Sequence, residues 1–214
     1  MSVKYLTACI NYEINTQQNR KTIIKNSFVL AFFALLAGVV GFFYNSTTQV
    51  YAIIIYSLSA LLILSSVFIT RKLTVKTRII DNAIKCSLLT IIFILTSFVY
   101  FDMSSIPYYY ISAILPILLA VFSLLKTVNS IKKKTYIKSK KKNHSAIITA
   151  TVAGSLIGYA FMHSMSDKLD QSVLYIIIAI CFFILSCVFT KGTVYFLKWH
   201  YINTLEAQSV KIDQ

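Results

Sequence analysis

The chain has 214 residues, is 57% hydrophobic, and carries a formal charge of +14 from 21 Lys and Arg against 7 Asp and Glu. Mean hydropathy is +0.71 and 13% of residues are charged, where an ordinary soluble domain has about a quarter. These proportions exclude a soluble globular fold and a disordered chain: the excess Ile, Leu, Phe and Tyr calls for lipid as solvent.

The first 26 residues are polar, with Asn11, Asn15, Gln17, Gln18 and Asn19. A signal peptide would reach its apolar region much earlier, so the first apolar run is expected to act as an uncleaved insertion signal. Charge-free apolar stretches then follow at 27–44, 50–70, 86–101, 108–125, 145–163 and 172–190. A spanning helix needs about 20 apolar residues, with about 17–25 usual. The stretch 86–101 is short and would borrow Ala83 and Ile84, with Lys85 snorkelling to the headgroups. Long unbroken runs predict helices rather than the alternating strands of a barrel. The expected fold class is all-α: a polytopic helical membrane protein with six transmembrane helices in three hairpins. A four-helix arrangement with one re-entrant hairpin is the alternative. No Pro- or Gly-rich linker divides the chain, so residues 1–214 read as one integral membrane domain: an N-terminal segment 1–26, a six-helix region 27–190 and a tail 191–214.

The connections alternate in charge. Those at 71–85 and 126–144 are basic; those at 45–49, 102–107 and 164–171 hold one base, Lys168. Lys168 against Asp102, Asp167 and Asp170 leaves −2 on that side. The other 20 bases against Glu13, Asp81, Glu206 and Asp213 leave +16. Cytoplasmic segments gather Lys and Arg, so both termini are expected in the cytoplasm, with the protein in a bacterial inner (plasma) membrane. A basic inner face attracts anionic lipid within about one Debye length.

Related text ends the second helix of each expected hairpin. Ile63-Leu64-Ser65-Ser66-Val67-Phe68 precedes Arg71, and Ile184-Leu185-Ser186-Cys187-Val188-Phe189 precedes Lys191. Leu118 to Phe122 before Lys126 is a looser version. This reads either as an internal repeat or as the common composition of apolar spans. Tyr44, Tyr51, Tyr100, Phe101 and Tyr108 to Tyr110 are expected in an outer aromatic belt, with Trp199 and Tyr201 at the inner interface. The tail from Gly192, and the stretch 71–85, mix apolar and basic residues as a helix lying on the membrane surface would.

Four of the five glycines fall in two spans. Ala34, Ala37, Gly38 and Gly41 form small-residue pairs in the first, and Ala150, Gly154 and Gly158 form a stripe in the fifth. Such stripes permit close helix packing, within one chain or in a homo-oligomer. Pro116 is placed mid-span and expected to kink the fourth helix. Ser57, Ser59, Ser65, Ser66, Thr90, Thr96 and Ser97 are expected to bond their own helix backbone or to line a narrow polar seam. No acid or base lies deep in a span. His163 and His144 mark boundaries, and Asp81 reads as part of a local ion pair. Cys9, Cys86, Cys181 and Cys187 lack metal or redox spacing and read as reduced, with the last three small apolar fillers. Asn45-Ser46-Thr47 matches a glycosylation acceptor by chance. No catalytic, cofactor-binding or metal-binding residues are identified, and an enzyme is not expected.

The densest charge feature is Lys132, Lys133, Lys134, Lys138, Lys140, Lys141 and Lys142. It reads as an orientation determinant beside acidic lipid, or as a docking face for an acidic cytosolic protein. Nucleic acid is disfavoured, because only Tyr136 interleaves the lysines and arginine is nearly absent. The leading expectation is a non-enzymatic membrane scaffold or sensor that docks a cytosolic partner. AT-rich codon usage, inferred from Lys, Ile, Asn and Tyr, hints at host protection: anti-phage defence or toxin immunity. The alternative is a transporter, channel or permease subunit forming an oligomeric pore.

Overall fold

A computed structural model describes residues 19–107, 109–133 and 170–207. The expected fifth span, with Ala150, Gly154 and Gly158, lies outside the described residues. So do Lys134, Lys138, Lys140, Lys141 and Lys142, His144, His163 and Cys9. Every element among the described residues is helical. We number them α1 (Arg20–Val39, continued as a 3-10 helix Val40–Phe43), α2 (Ser46–Ile69), α3 (Val75–Met103), α4 (Ile114–Lys132, preceded by a 3-10 helix Tyr109–Ala113), α5 (Gln171–Thr190) and α6 (Val194–Ala207). A 3-10 turn, Lys191–Thr193, joins the last two. Among the described residues, five helical stretches are long and apolar enough to cross a membrane: Arg20–Phe43, Ser46–Ile69, Val75–Met103, Ile114–Lys132 and Gln171–Thr204.

The stretch that looks shortest in the sequence is the longest single helix. α3 has 29 residues, about 43 Å at 1.5 Å per residue, against a hydrocarbon core of about 30 Å. It starts at a capping box in which Thr74 Oγ1 accepts from Thr77 N at 3.1 Å and Thr74 N donates to Thr77 Oγ1 at 2.9 Å. Ile79 and Ala83, fully buried, then carry the apolar stripe past the charged residues. The segment 71–85 is therefore mostly core helix rather than a helix on the membrane surface.

α3 packs on α5, α2, α1 and α6. In its most apolar window 56% of residues are buried, against 11% for α4. α3 is thus the hub, and α4 sits at the periphery against α5, α6 and the turn between them. The α3–α5 contact is an aromatic ladder at heptad spacing: Phe93 and Tyr100 on α3, Tyr175, Phe182 and Phe189 on α5. Ring centroids lie 6.2 Å apart for Tyr100–Tyr175, 5.9 Å for Tyr100–Phe182, 5.9 Å for Phe93–Phe182 and 5.5 Å for Phe93–Phe189. A repeat of seven holds one seam against a neighbouring helix, and the pairing makes α3 and α5 antiparallel. Tyr100 is consequently a core residue, 8% exposed, not a member of an interfacial belt.

α1 and α2 form an antiparallel hairpin with very close backbones. A methyl group at Gly38 would lie 3.0 Å from Ile55 Cγ2, and one at Gly41 would lie 2.9 Å from the Thr48 carbonyl oxygen. Ala34 is fully buried beside them. These small residues serve contacts within the chain. Asn45 caps α2, accepting from Thr48 N at 2.8 Å, while its Nδ2 donates to Asp102 Oδ2 at 2.6 Å. The amide of the glycosylation-like triplet is thereby committed to the fold.

Pro116 is the third residue of α4, not a mid-span position. It is buried and has no N–H to offer residue 112, and the turn before it is 3-10 rather than α. The missing bond is absorbed at the helix start, where proline is tolerated. The two closest copies of the repeated text pack differently. Phe68 is exposed, whereas its counterpart Phe189 packs against Phe93; the buried serines are Ser66 and Ser186, one position out of register. Their likeness is one of composition.

α6 does not lie flat on a membrane surface. Its Ile202 is 1% exposed, and it packs on α3 and α4. The turn before it sits directly on α3: a methyl group at Gly192 would overlap Cβ of Cys86. Substituting Gly192 by Ala therefore forces the turn off α3. Overpacking of this kind costs about 1–3 kcal/mol, read as a lowered melting temperature in micelles. Cys86→Gly removes the clashing atom, so the double variant should be more stable than the two single losses combined predict.

Candidate functional site

Three hydroxyl, carboxylate and ammonium contacts align one end of the helices. Ser27 Oγ on α1 lies 2.8 Å from Ser66 Oγ on α2. Ser66 Oγ donates to Asp81 Oδ1 on α3 at 2.7 Å. Lys85 Nζ donates to Asp81 Oδ2 at 2.5 Å and approaches the Ile23 carbonyl oxygen of α1 at 3.4 Å. The start of α1, the end of α2 and the start of α3 thus meet at one level. The Gly192–Cys86 contact brings the end of α5 there too. α4 begins at the opposite end, where Tyr109 packs on Phe98 and Phe101 at 5.2 and 6.1 Å, and it reaches the Lys191–Thr193 turn.

Asp81 is 2% exposed and Lys85 7%. The local ion pair expected of Asp81 is formed, with Lys85, but it lies in the core, so Lys85 does not snorkel to the headgroups. Taking two charges out of water is costly, and the cost is offset only where the geometry is good and the remaining donors and acceptors are satisfied. Here both carboxylate oxygens are engaged. The acid lies four residues before the base, the favourable order on a helix. The signal was present in the sequence as Asp-x-x-x-Lys between Ile79, Ala83 and Leu88. It was missed because charged residues were taken to end the span.

The other polar side chains expected to form a seam bond to carbonyls of their own helices. Ser59 bonds Ile55 at 2.8 Å, Thr90 bonds Cys86 at 2.8 Å and Thr96 bonds Ile92 at 2.9 Å. Thr70 Oγ1 likewise donates to the Ser66 carbonyl. Ser66 is the one that reaches across to a carboxylate.

Around this buried network the surface is cationic. Arg20, Lys21 and Lys25 on α1, Arg71 and Lys72 in the α2–α3 turn, Lys126, Lys132 and Lys133 at the end of α4, and Lys191 are all exposed. Of the seven lysines singled out in the 132–142 run, the structure places Lys132 and Lys133; the others lie outside the described residues. Lys198, on α6, is instead buried at 2% exposure. Asp81 is the acid with a described side chain at this end, and Lys85 already neutralises it. The opposite end carries Asp102 and Asp170 and no lysine or arginine among the described residues. There burial, then the hydrogen bond to Tyr51 and the charge of Asp102, push the Tyr109 hydroxyl well above the usual tyrosine range.

No group of three or more His, Cys, Asp or Glu residues arranged to hold a metal ion occurs among the described residues. Comparison with models of known protein families, with curated proteins and with solved structures finds no match for the chain.

Removing one partner of the buried pair strands the other charge. Asp81→Asn or Lys85→Met alone should each destabilise the protein by about 3–5 kcal/mol. The double variant Asp81→Asn/Lys85→Met should recover most of that loss. Chemical unfolding of the four proteins in micelles measures the coupling.

Proposed function

We propose that this is a non-enzymatic multi-pass protein of a bacterial inner membrane that acts as a scaffold or sensor, docking a soluble acidic protein on its basic cytoplasmic end. The observation that carries this reading is the gathering of exposed Lys and Arg at one end of the helices, where the described acid is internally neutralised. Such a surface speeds encounter with a negative partner and sets its register. Orientation follows from the same asymmetry, because positive segments stay cytoplasmic. Lys132 and Lys133 of the 132–142 run lie on this face, and homo-oligomerisation would multiply it. A setting in host protection is part of the proposal and rests on residue usage alone.

Six spans, with both termini inside, also belong to this reading. α4 and α5 both run toward the basic end, which supports a return crossing of the bilayer between Lys133 and Asp170. In a chain otherwise free of cysteine, single cysteines at positions 130 and 170 should then label from opposite sides with a membrane-impermeant thiol reagent. Labelling from the same side would remove the sixth crossing.

Replacing the seven lysines of the 132–142 run by glutamine should lower crosslinked recovery of a cytosolic partner by at least about tenfold, with insertion and melting temperature retained. Recovery from wild type should also fall steeply as ionic strength rises. Unchanged recovery from the variant would sink the docking reading.

One observation favours a second reading. Asp81 and Lys85 are buried in a helix long enough to span, and ionisable residues in such helices commonly mark transport pathways. Selective flux through proteoliposomes of the purified protein, lost in Asp81→Asn/Lys85→Met, would support a transporter or pore instead.

A further inference from the structure

We propose that the corner formed by the start of α1 and the α2–α3 turn is a specific site for the headgroup of an anionic membrane phospholipid. This site uses none of the lysines of the 132–142 run and does not depend on the docking of a soluble partner.

Three observations converge there. The first is charge. Arg20 lies two turns before Ser27, and Arg71 and Lys72 follow Ser66 by little more than one turn. The 2.8 Å Ser27–Ser66 contact joins the two helices just above these residues, so Arg20 at the start of α1 and Arg71 and Lys72 in the turn after α2 lie at the same end of the fold. All three are exposed. Asp81, the acid with a described side chain nearby, is buried and paired with Lys85.

The second observation is preorganisation. The turn that presents Arg71 and Lys72 is closed by backbone bonds from Arg71 N to Phe68 O at 3.4 Å and from Thr74 N to Lys72 O at 3.2 Å. Thr77 Oγ1 donates to Lys72 O at 2.7 Å. The Arg71 guanidinium lies over the Phe68 ring, 4.6 Å from its centroid. This cation–π contact restrains the Arg71 side chain, and a restrained planar guanidinium suits phosphate recognition. Fixing the turn in advance lowers the ordering cost of binding.

The third observation is what lies above the cations. Phe68 is 56% exposed and Leu64 53%, continuing an apolar face up α2 from the charged turn. A soluble anion would use the cations alone. A phospholipid uses both surfaces: phosphate at Arg20, Arg71 and Lys72, acyl chain along Leu64 and Phe68. The adjoining apolar face is the reason to assign this corner to a lipid.

Native mass spectrometry of the full chain in micelles, titrated with phosphatidylglycerol or phosphatidylcholine, tests the assignment. Each interfacial cation contributes about fivefold, so Arg71 and Lys72 together should give a preference for the anionic lipid of about thirtyfold. Arg71→Gln/Lys72→Gln should lower the preference by about that factor, leaving the share contributed by Arg20. Lys132→Gln/Lys133→Gln, which removes the same charge elsewhere at the basic end, should leave the preference in place. Arg71→Lys with Lys72 intact should keep most of the charge effect but lose part of the retention, because the stacked planar fork is gone. Equal loss in the two Gln pairs would overturn the proposal in favour of diffuse charge. Displacement of the bound lipid by millimolar inorganic phosphate would also overturn it, since the acyl contact would then contribute nothing. Melting temperatures within experimental error of wild type establish that both Gln pairs are folded. If Arg71→Gln/Lys72→Gln is not, Phe68→Leu serves in its place, with reduced retention expected and unchanged retention counting against the site.

Discussion

The burial of α3 is the constraint on which the rest of the arrangement depends. Lipid tails are as apolar as leucine, so no hydrophobic force gathers helices inside a bilayer; close packing and polar contacts must do it. α3 supplies both. Its upper half offers Phe93 and Tyr100 to the aromatic ladder of α5, and its lower half offers Asp81 and Lys85 to α1 and α2. The α1–α2 hairpin, with Gly38 and Gly41 at its seam, packs against α3. α4 has no comparable purchase and stays at the edge.

The buried pair does two jobs through one piece of chemistry. It ties three helices together at one level, and it removes a negative charge from a positive surface. Had Asp81 faced solvent, it would have offset neighbouring lysines and arginines. Because Lys85 shares the same helix, the pair is neutral inside and the exterior keeps one sign. Structural cohesion and surface electrostatics are therefore linked through two residues on adjacent turns.

Much of the architecture was legible from the chain. The apolar runs at 27–44, 50–70 and 172–190 correspond closely to α1 with its 3-10 extension, α2 and α5, since few charges interrupt them. The reading failed where charge and helix coexist. Lys76, Arg78, Asp81 and Lys85 read as a basic connection lying on the membrane surface, yet Ile79 and Ala83 between them carry a buried stripe that joins this segment to the membrane helix. The fourth span was placed about one and a half turns too early. Tyrosines at 109 and 110 lie in a 3-10 segment, and Lys126 does not stop a helix whose basic side chains point outward at its end. Burial could not be read from residue type either. Tyr100 looked like an interfacial residue and is in the core, while Phe68 looked like its repeat partner Phe189 and faces outward. Contacts between helices, such as Ser66 with Asp81, depend on rotational setting, which composition alone does not reveal.

The seat of Gly192 on Cys86 has a practical corollary. The half-buried thiol lies against the junction between the membrane helices and the tail, so a bulky alkylating reagent gains access as that junction lifts. The chain thus contains an intrinsic chemical reporter: the rate at which Cys86 is modified rises with how often the tail comes away from the helix beside it. Anything that clamps the tail in place would slow that reaction without touching the sulfur.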